Sequence, residues 1–257
     1  MKKTILSLSC LFFLSCTSNI KKEYDYKTKL FTIEAGITNV YVIKGEKNIL
    51  VDTGEHGTEE KIISSLKSFG MSPNDISLIV LTHAHGDHAG GVKYFKDKYN
   101  IPVLVGKNDD ILAKNGKNDE LKPTDLLAVV TKNFIKQEYP AFTPDIIIDK
   151  TFDLRNTYGI NGKIIYTPSH TEGSLVILLD DDKALVGDLI RGGTIFKEIP
   201  TVHFFHNDIK KVNSTLKDLV NMDIKTFYTG HFGPLKGEDI KKVFFAKKKI
   251  SKSKISE

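Results

Sequence analysis

Cysteine is nearly missing from this chain: among 257 residues only Cys10 and Cys16 carry a thiol, and both fall within the first sixteen. The rest of the chain therefore holds no disulfide, and structural zinc of the all-cysteine kind is excluded. Long apolar runs are scarce as well. The opening M-K-K-T-I-L-S-L-S-C-L-F-F-L-S-C has roughly a dozen apolar residues, short of the about 20 a spanning helix needs. No segment recurs at a fixed period, which argues against a solenoid or propeller. No basic stripe interleaved with aromatics appears, which argues against a nucleic-acid site. What remains is the composition of an ordinary globular protein, long enough for one large α/β domain or two small ones.

Lys2 and Lys3 followed by a short apolar stretch form the pattern of a secretory signal. Its ending F-L-S-C resembles a bacterial lipobox, with Phe13 where leucine is usual. The resemblance implies removal of residues 1–15, a lipid on Cys16, and a protein exported to the bacterial cell envelope and held on its membrane. Cys10 follows too short an apolar run to compete. Losing Lys2 and Lys3 takes the formal charge from +5 to +3. Much of the surplus lies in the C-terminal K-K-V-F-F-A-K-K-K-I-S-K-S-K, read as a solvated helix end or tail, with an anionic membrane surface as the alternative. Without disulfides the exported domain must draw its stability from its core and any bound metal.

After a polar tether, residues 16–28, a domain spans 29–249, with a basic tail at 250–257. Three short β-rich runs, L-F-T-I-E-A, N-V-Y-V-I-K-G and N-I-L-V-D-T-G, predict antiparallel strands with a hairpin at Gly45-Glu46-Lys47. Gly57-Thr58 opens a helix with Ile62, Ile63, Leu66 and Phe69 at helical spacing. I-S-L-I-V-L-T reads as a strand buried on both faces. Residues 106–143 interrupt the rhythm as a helical insertion, with one helix over about Thr124–Lys136, and are placed as a cap. Strands resume at Asp145, and a helix capped by Asn207 covers about Asp208–Met222. A last helix starts near Glu238. The order of strands, helices, strands and helices predicts an α/β fold of two mixed sheets packed face to face with helices outside.

The chemistry concentrates in T-H-A-H-G-D-H-A-G-G, Thr82–Gly91, directly after the buried strand. Imidazole and carboxylate suit zinc, and also iron or manganese. His83 and His85, two apart in extended chain, project to one side. Gly86 lets the backbone turn so that Asp87 and His88 diverge to a second point. Titratable groups gathered behind a buried strand cost desolvation energy without a ligand to share. His170, Asp188 and His231 each follow an apolar run beside a small residue or proline. Taken singly, a strand-end aspartate or histidine is more often a turn residue; the three together suggest further ligands. His56 reads as a surface residue. His203 and His206 read as a segment leading into the next helix, with a substrate-facing loop as the alternative.

The set T-H-A-H-G-D-H-A-G-G, T-P-S-H-T-E-G-S, G-D-L-I and T-G-H-F-G-P, with V-D-T-G at Val51–Gly54, resembles the metallo-β-lactamase-fold hydrolase superfamily over roughly residues 29–235. The resemblance implies an αββα sandwich with two ions, zinc by preference, at one edge. His83, His85 and His170 would hold one and Asp87, His88 and His231 the other, with Asp188 bridging and Asp52 orienting a ligand histidine. A hydroxide bridging two cations would then attack a small-molecule ester, thioester or lactone, with Asp87 passing a proton to the leaving group. Asp188 stands where class B β-lactamases usually carry Cys or Ser, which points toward glyoxalase II-like thioesterases or lactonases. The chain after His231 is too short for the glutathione-binding helical domain of glyoxalase II. A β-lactamase, an iron-dependent persulfide dioxygenase-like enzyme and an inactive lipid-anchored binding protein are the alternatives.

Overall fold

The computed structural model describes residues 28–120 and 122–246; the expected signal segment 1–15, Cys16, the expected tether up to residue 27, and the expected tail 250–257 lie outside the described residues. The first half runs β1 (Lys29–Ala35), β2 (Thr38–Lys44), β3 (Asn48–Val51), α1 (Glu59–Ser68), β4 (Ile76–Val80), α2 (Gly86–Ala89), α3 (Val92–Tyr99), β5 (Val103–Gly106), α4 (Asp109–Asn115), α5 (Leu126–Thr131) and β6 (Ile146–Ile148). Its six strands lie in chain order in one sheet, antiparallel from β1 to β3 and parallel from β3 to β6. The second half runs β7 (Phe152–Asp153), α6 (Arg155–Tyr158), β8 (Gly162–Tyr166), β9 (Leu175–Leu179), β10 (Lys183–Gly187), the small pair β11 (Arg191–Gly192) and β12 (Pro200–Thr201), α7 (Ile209–Asn221), β13 (Thr226–Thr229), β14 (Leu235–Lys236) and α8 (Gly237–Ile240). Its main sheet has the order β14-β13-β10-β9-β8-β7, with β10 and β13 parallel.

Alternation along the strands builds the layers. In β2, Val40 and Val42 join the cluster under α1 and α3, while Tyr41 and Ile43 join the cluster between the sheets. In β9, Leu175, Ile177 and Leu179 face the first sheet, and Val176 and Leu178 pack with Val212, Leu216 and Leu219 of α7. Strands buried on both faces need no polar side, which is why L-V-I-L-L runs apolar throughout. The result is the expected helix–sheet–sheet–helix sandwich. Among the described residues no helix is long and apolar enough to cross a membrane.

Three local expectations change. The helix expected over Thr124–Lys136 spans only Leu126–Thr131 and tightens into a 3-10 turn at Lys132–Phe134. The β-branched run Val129-Val130-Thr131 is a weak helix former. Thr124 does not open that helix; its hydroxyl donates to the His203 carbonyl at 2.7 Å. Asn207 does not cap α7: its amide donates to Asp119, and Asp208 caps instead, accepting from the Lys210 and Lys211 amides. The expected terminal helix is a single turn, α8, followed by a π turn over Lys241–Phe245.

Candidate metal centre

Strand ends bring the site together. The C-terminal ends of parallel strands β3 and β4 deliver Asp52 and the Thr82–Gly91 motif, and those of parallel strands β10 and β13 deliver Asp188 and His231. His170 follows β8 in the loop to β9. Residues 193 positions apart in sequence close this edge, as where Asn39 donates to the Phe232 carbonyl at 2.6 Å. Gly230 permits the closest approach: a Cβ there would lie 2.2 Å from Asp188 Oδ1 and 2.6 Å from His88 Cε1.

Each histidine is held at one ring nitrogen and faces the cluster with the other. His88 Nδ1 meets Asp52 Oδ2 at 2.8 Å. His231 Nδ1 lies 2.9 Å from the Ile37 carbonyl, and His170 Nδ1 2.9 Å from that of Phe205. His83 Nδ1 lies 3.2 Å from Thr82 Oγ1. His85 is turned the other way: its Nε2 meets Asp119 Oδ1 at 2.7 Å and its Nδ1 faces His170 Nε2 at 3.2 Å. An outer partner that fixes tautomer and ring direction is what metal-ligating histidines have.

The inward atoms form two main groups, His83–His85–His170 and Asp87–His88–Asp188–His231, each with its donor atoms within 4.8 Å of one another. Asp188 stands between them. Its Oδ2 is 3.8 Å from both His83 Nε2 and His170 Nε2 and 3.3 Å from His231 Nε2, while its Oδ1 is 3.3 Å from His88 Nε2. Asp87 Oδ2 lies 3.2 Å from His231 Nε2. Donors about 2.0–2.1 Å from a shared tetrahedral ion stand about 3.3 Å apart, close to these spacings. His83 Nε2, His88 Nε2 and Asp188 Oδ1 are buried with no hydrogen-bond partner. Each such orphan costs about 1–3 kcal/mol unless something satisfies it, so the residues present fit divalent ions.

Three further residues belong here that the sequence reading did not place. His203, expected to lead into a helix, is buried with its Nε2 3.0 Å from Asp188 Oδ2, and with His170 and Asp188 it makes a third possible donor group. The segment does lead into α7, and it also turns His203 into the cluster. Asp119 orients His85 as described. Asp109, at the start of α4, accepts from the amides of Ala84 and Gly173, both at 2.8 Å, and from Thr171 Oγ1 at 2.9 Å, so one buried carboxylate ties the His83–His85 loop to the His170 loop. His206 Nδ1 lies 3.2 Å from His170 Nδ1, and half-exposed His56 lines the cavity above the cluster.

Electrostatics divides the cluster. Burial pulls the His88 pKa down, but Asp188, Asp52 and Asp87 outweigh it and hold it well above the usual range. The same contest, decided by Asp188 and Asp87, pushes His231 up to about 10. Burial and the crowding of His88 and His170 hold His83 well below its usual value. Burial would raise Asp188, yet His203, His231 and His88 keep it ionised. An imidazole must release its proton before that nitrogen can hold a cation. Cation affinity at the Asp87–His88–His231 group is therefore expected to rise through neutrality, by about tenfold per pH unit for each proton displaced. Titrations with zinc at about pH 6 and about pH 8 check this; equal affinities would mean that both rings are already neutral.

A helix–sheet–sheet–helix sandwich with a histidine–aspartate donor cluster where its parallel strands end defines a class of metallo-hydrolases. The chain belongs to the metallo-β-lactamase superfamily, whose family description matches residues 33–231. It is 29% identical over 204 residues to the "Probable metallo-hydrolase" of Methanocaldococcus jannaschii, covering 76% of this chain and 87% of that protein. It is 32% identical over 222 residues to the "Beta-lactamase-like protein 2 homolog" of Caenorhabditis elegans, covering 83% of this chain but only 61% of that protein. Among solved structures, the BLEG-1 B3 metallo-β-lactamase aligns with a TM-score of 0.62 at 20% identity, over 84% of this chain and 98% of its own. An archaeal superfamily protein from Sulfolobus tokodaii aligns with a TM-score of 0.57 at 22% identity, over 84% of each chain. These structures share the fold.

Proposed function

We propose that this chain is a hydrolase using two divalent ions, zinc by preference, on an ester, thioester, lactone or related small molecule. The observation that carries it is Asp188, one buried carboxylate facing both donor groups. His83, His85 and His170 would hold one ion, Asp87, His88 and His231 the other, and Asp188 would touch both. Ions bound there supply Lewis acidity toward a substrate oxygen and bring water to ionisation near neutral pH. The chain's own residues orient the rings, exclude bulk water and move protons. Asp87 lines the cavity, stays partly exposed and is held ionised below the usual carboxylate range, as His88 and His231 outweigh its burial. Its position on the cavity wall is what supports a proton-relay role toward a leaving group, which so depressed a pKa works against; no serine or cysteine nucleophile is needed. Relatives named as metallo-hydrolases support the class.

The test is elemental analysis of the purified chain together with a panel of esters, thioesters, lactones, β-lactams and phosphodiesters. Two zinc ions per chain and turnover of at least one ester, thioester or lactone, lost on chelation and restored by zinc, is the expected outcome. One iron per chain without hydrolysis would sink the proposal. We also propose export to the cell envelope through a lipid on Cys16; metabolic labelling with palmitate, lost in Cys16→Ser, is the expected result.

A further inference from the structure

Above the donor cluster lies a cavity of ≈ 430 Å³ whose walls are mostly hydrocarbon: Ile37, Phe134, Ile135, Tyr139, Phe204 and Phe232. The Tyr139 hydroxyl is spent on the Ala84 carbonyl at 2.6 Å, so this residue offers the cavity its ring. Phe134 is 86% exposed and Ile37 63% exposed. Large side chains left mostly open to water at the mouth of a cavity mark where an apolar partner binds. Their placement is built rather than incidental. The segment carrying Phe134 is pinned to the loop of His203 by the Pro123–Phe205 bridge, by the Thr124 amide on the Phe204 carbonyl at 2.9 Å, and by Ala128 packed with Phe205.

The charges at the walls point the same way. Glu55 and Glu138 line the cavity, and Lys136 is the one lining residue with a fixed positive charge. Arg191, a side chain suited to reading a carboxylate, lies against the Phe204 ring, 3.9 Å from its centroid, and does not line the cavity. An anionic substrate tail would meet two carboxylates and a greasy wall with one exposed lysine to answer it. A neutral alkyl or aryl chain would meet matched surface.

Resting on the hydrolase reading above, we infer that this cavity takes an uncharged, apolar acyl group of the substrate, with the scissile carbonyl at its floor against the donor cluster. Substrates that carry a carboxylate on that side are turned away.

Two series test this on the zinc-loaded full chain. One measures kcat/KM for neutral acyl esters and thioesters from acetyl to octanoyl, beside an adipoyl half-thioester whose chain ends in a carboxylate. The other measures binding of alkyl hydroxamates of the same chain lengths, which report the cavity without any turnover. Both are expected to climb about fourfold per added methylene until the cavity is full. The adipoyl compound is expected to fall at least about tenfold below hexanoyl. Phe134→Ser is expected to flatten the slope; with the side chain 86% exposed, its removal takes little from the core. Turnover with flat series, or an adipoyl rate equal to hexanoyl, overturns the inference. A hydroxamate slope in a protein that hydrolyses nothing upholds the cavity and refutes the hydrolase reading instead.

Discussion

Replacing Asp188 by asparagine is expected to lower kcat/KM by about 10³-fold or more while leaving a folded chain with fewer than two ions bound. The substitution is nearly isosteric, so the cavity and the walls around it keep their shape. What disappears is the one negative charge that faces His83, His170 and His231 through Oδ2 and His88 through Oδ1. An amide offers one oxygen and one NH₂ where a carboxylate offers two acceptors, so it cannot serve both donor groups. Several kcal/mol of charge stabilisation at the reacting centre correspond to the stated factor. His85→Ala is expected to act as strongly, by opening the other group and leaving Asp119 with Asn207 alone. Circular dichroism, elemental analysis and turnover measured together separate loss of the centre from loss of the fold. Unchanged rates in either variant would refute the assignment.

Much of this edge was legible because its residues sit at ends of strands, and strand ends can be read locally. The buried run I-S-L-I-V-L-T fixes where the chain emerges, and Gly86 marks where it turns, so His83, His85, Asp87 and His88 follow from the sequence alone. Asp188 and His231 also sit at the ends of apolar runs, those of β10 and β13, but it is the family resemblance that assigns them as ligands. His203 follows from neither. Its position depends on the loop after β12 folding back beneath Pro123 and Thr124, a pairing between residues about eighty apart that no periodicity announces. The only local hint is the pair His203 and His206 around two phenylalanines, which also suits a plain helix approach. Asp109 and Asp119 were hidden for a different reason. They lie in the lysine-rich stretch read as an insertion, where acidic residues look like solvated surface. Burial reveals the role of Asp109 and the contact with His85 that of the partly buried Asp119, and both are decided by which loops close over them.

Asp52→Ala is expected to cost about 3–5 kcal/mol of stability and to weaken zinc binding by about 10- to 100-fold. Asp52 is fully buried and accepts from the Thr82 amide at 2.7 Å, from the Thr82 hydroxyl at 2.8 Å and from His88 Nδ1 at 2.8 Å. Truncation would leave all three groups unsatisfied in the interior, and the His88 ring would lose the contact that fixes its tautomer. A backbone effect adds to this, since Asp52 sits at φ 62. Aspartate and asparagine tolerate that left-handed conformation far better than alanine does. Asp52→Asn separates the two contributions: it keeps the backbone, one acceptor oxygen and the volume, and removes the charge opposite His88. The expected order of stability is therefore Asp, then Asn, then Ala. Zinc affinity in Asp52→Asn is expected to fall nearly as far as in Asp52→Ala, because both lose the carboxylate that holds the ring. If Asp52→Asn bound zinc as tightly as the parent chain, Asp52 would be a strut for the Thr82 turn alone, and the orientation of His88 would have to rest on the packing of His83, Asp188 and Gly230 around it.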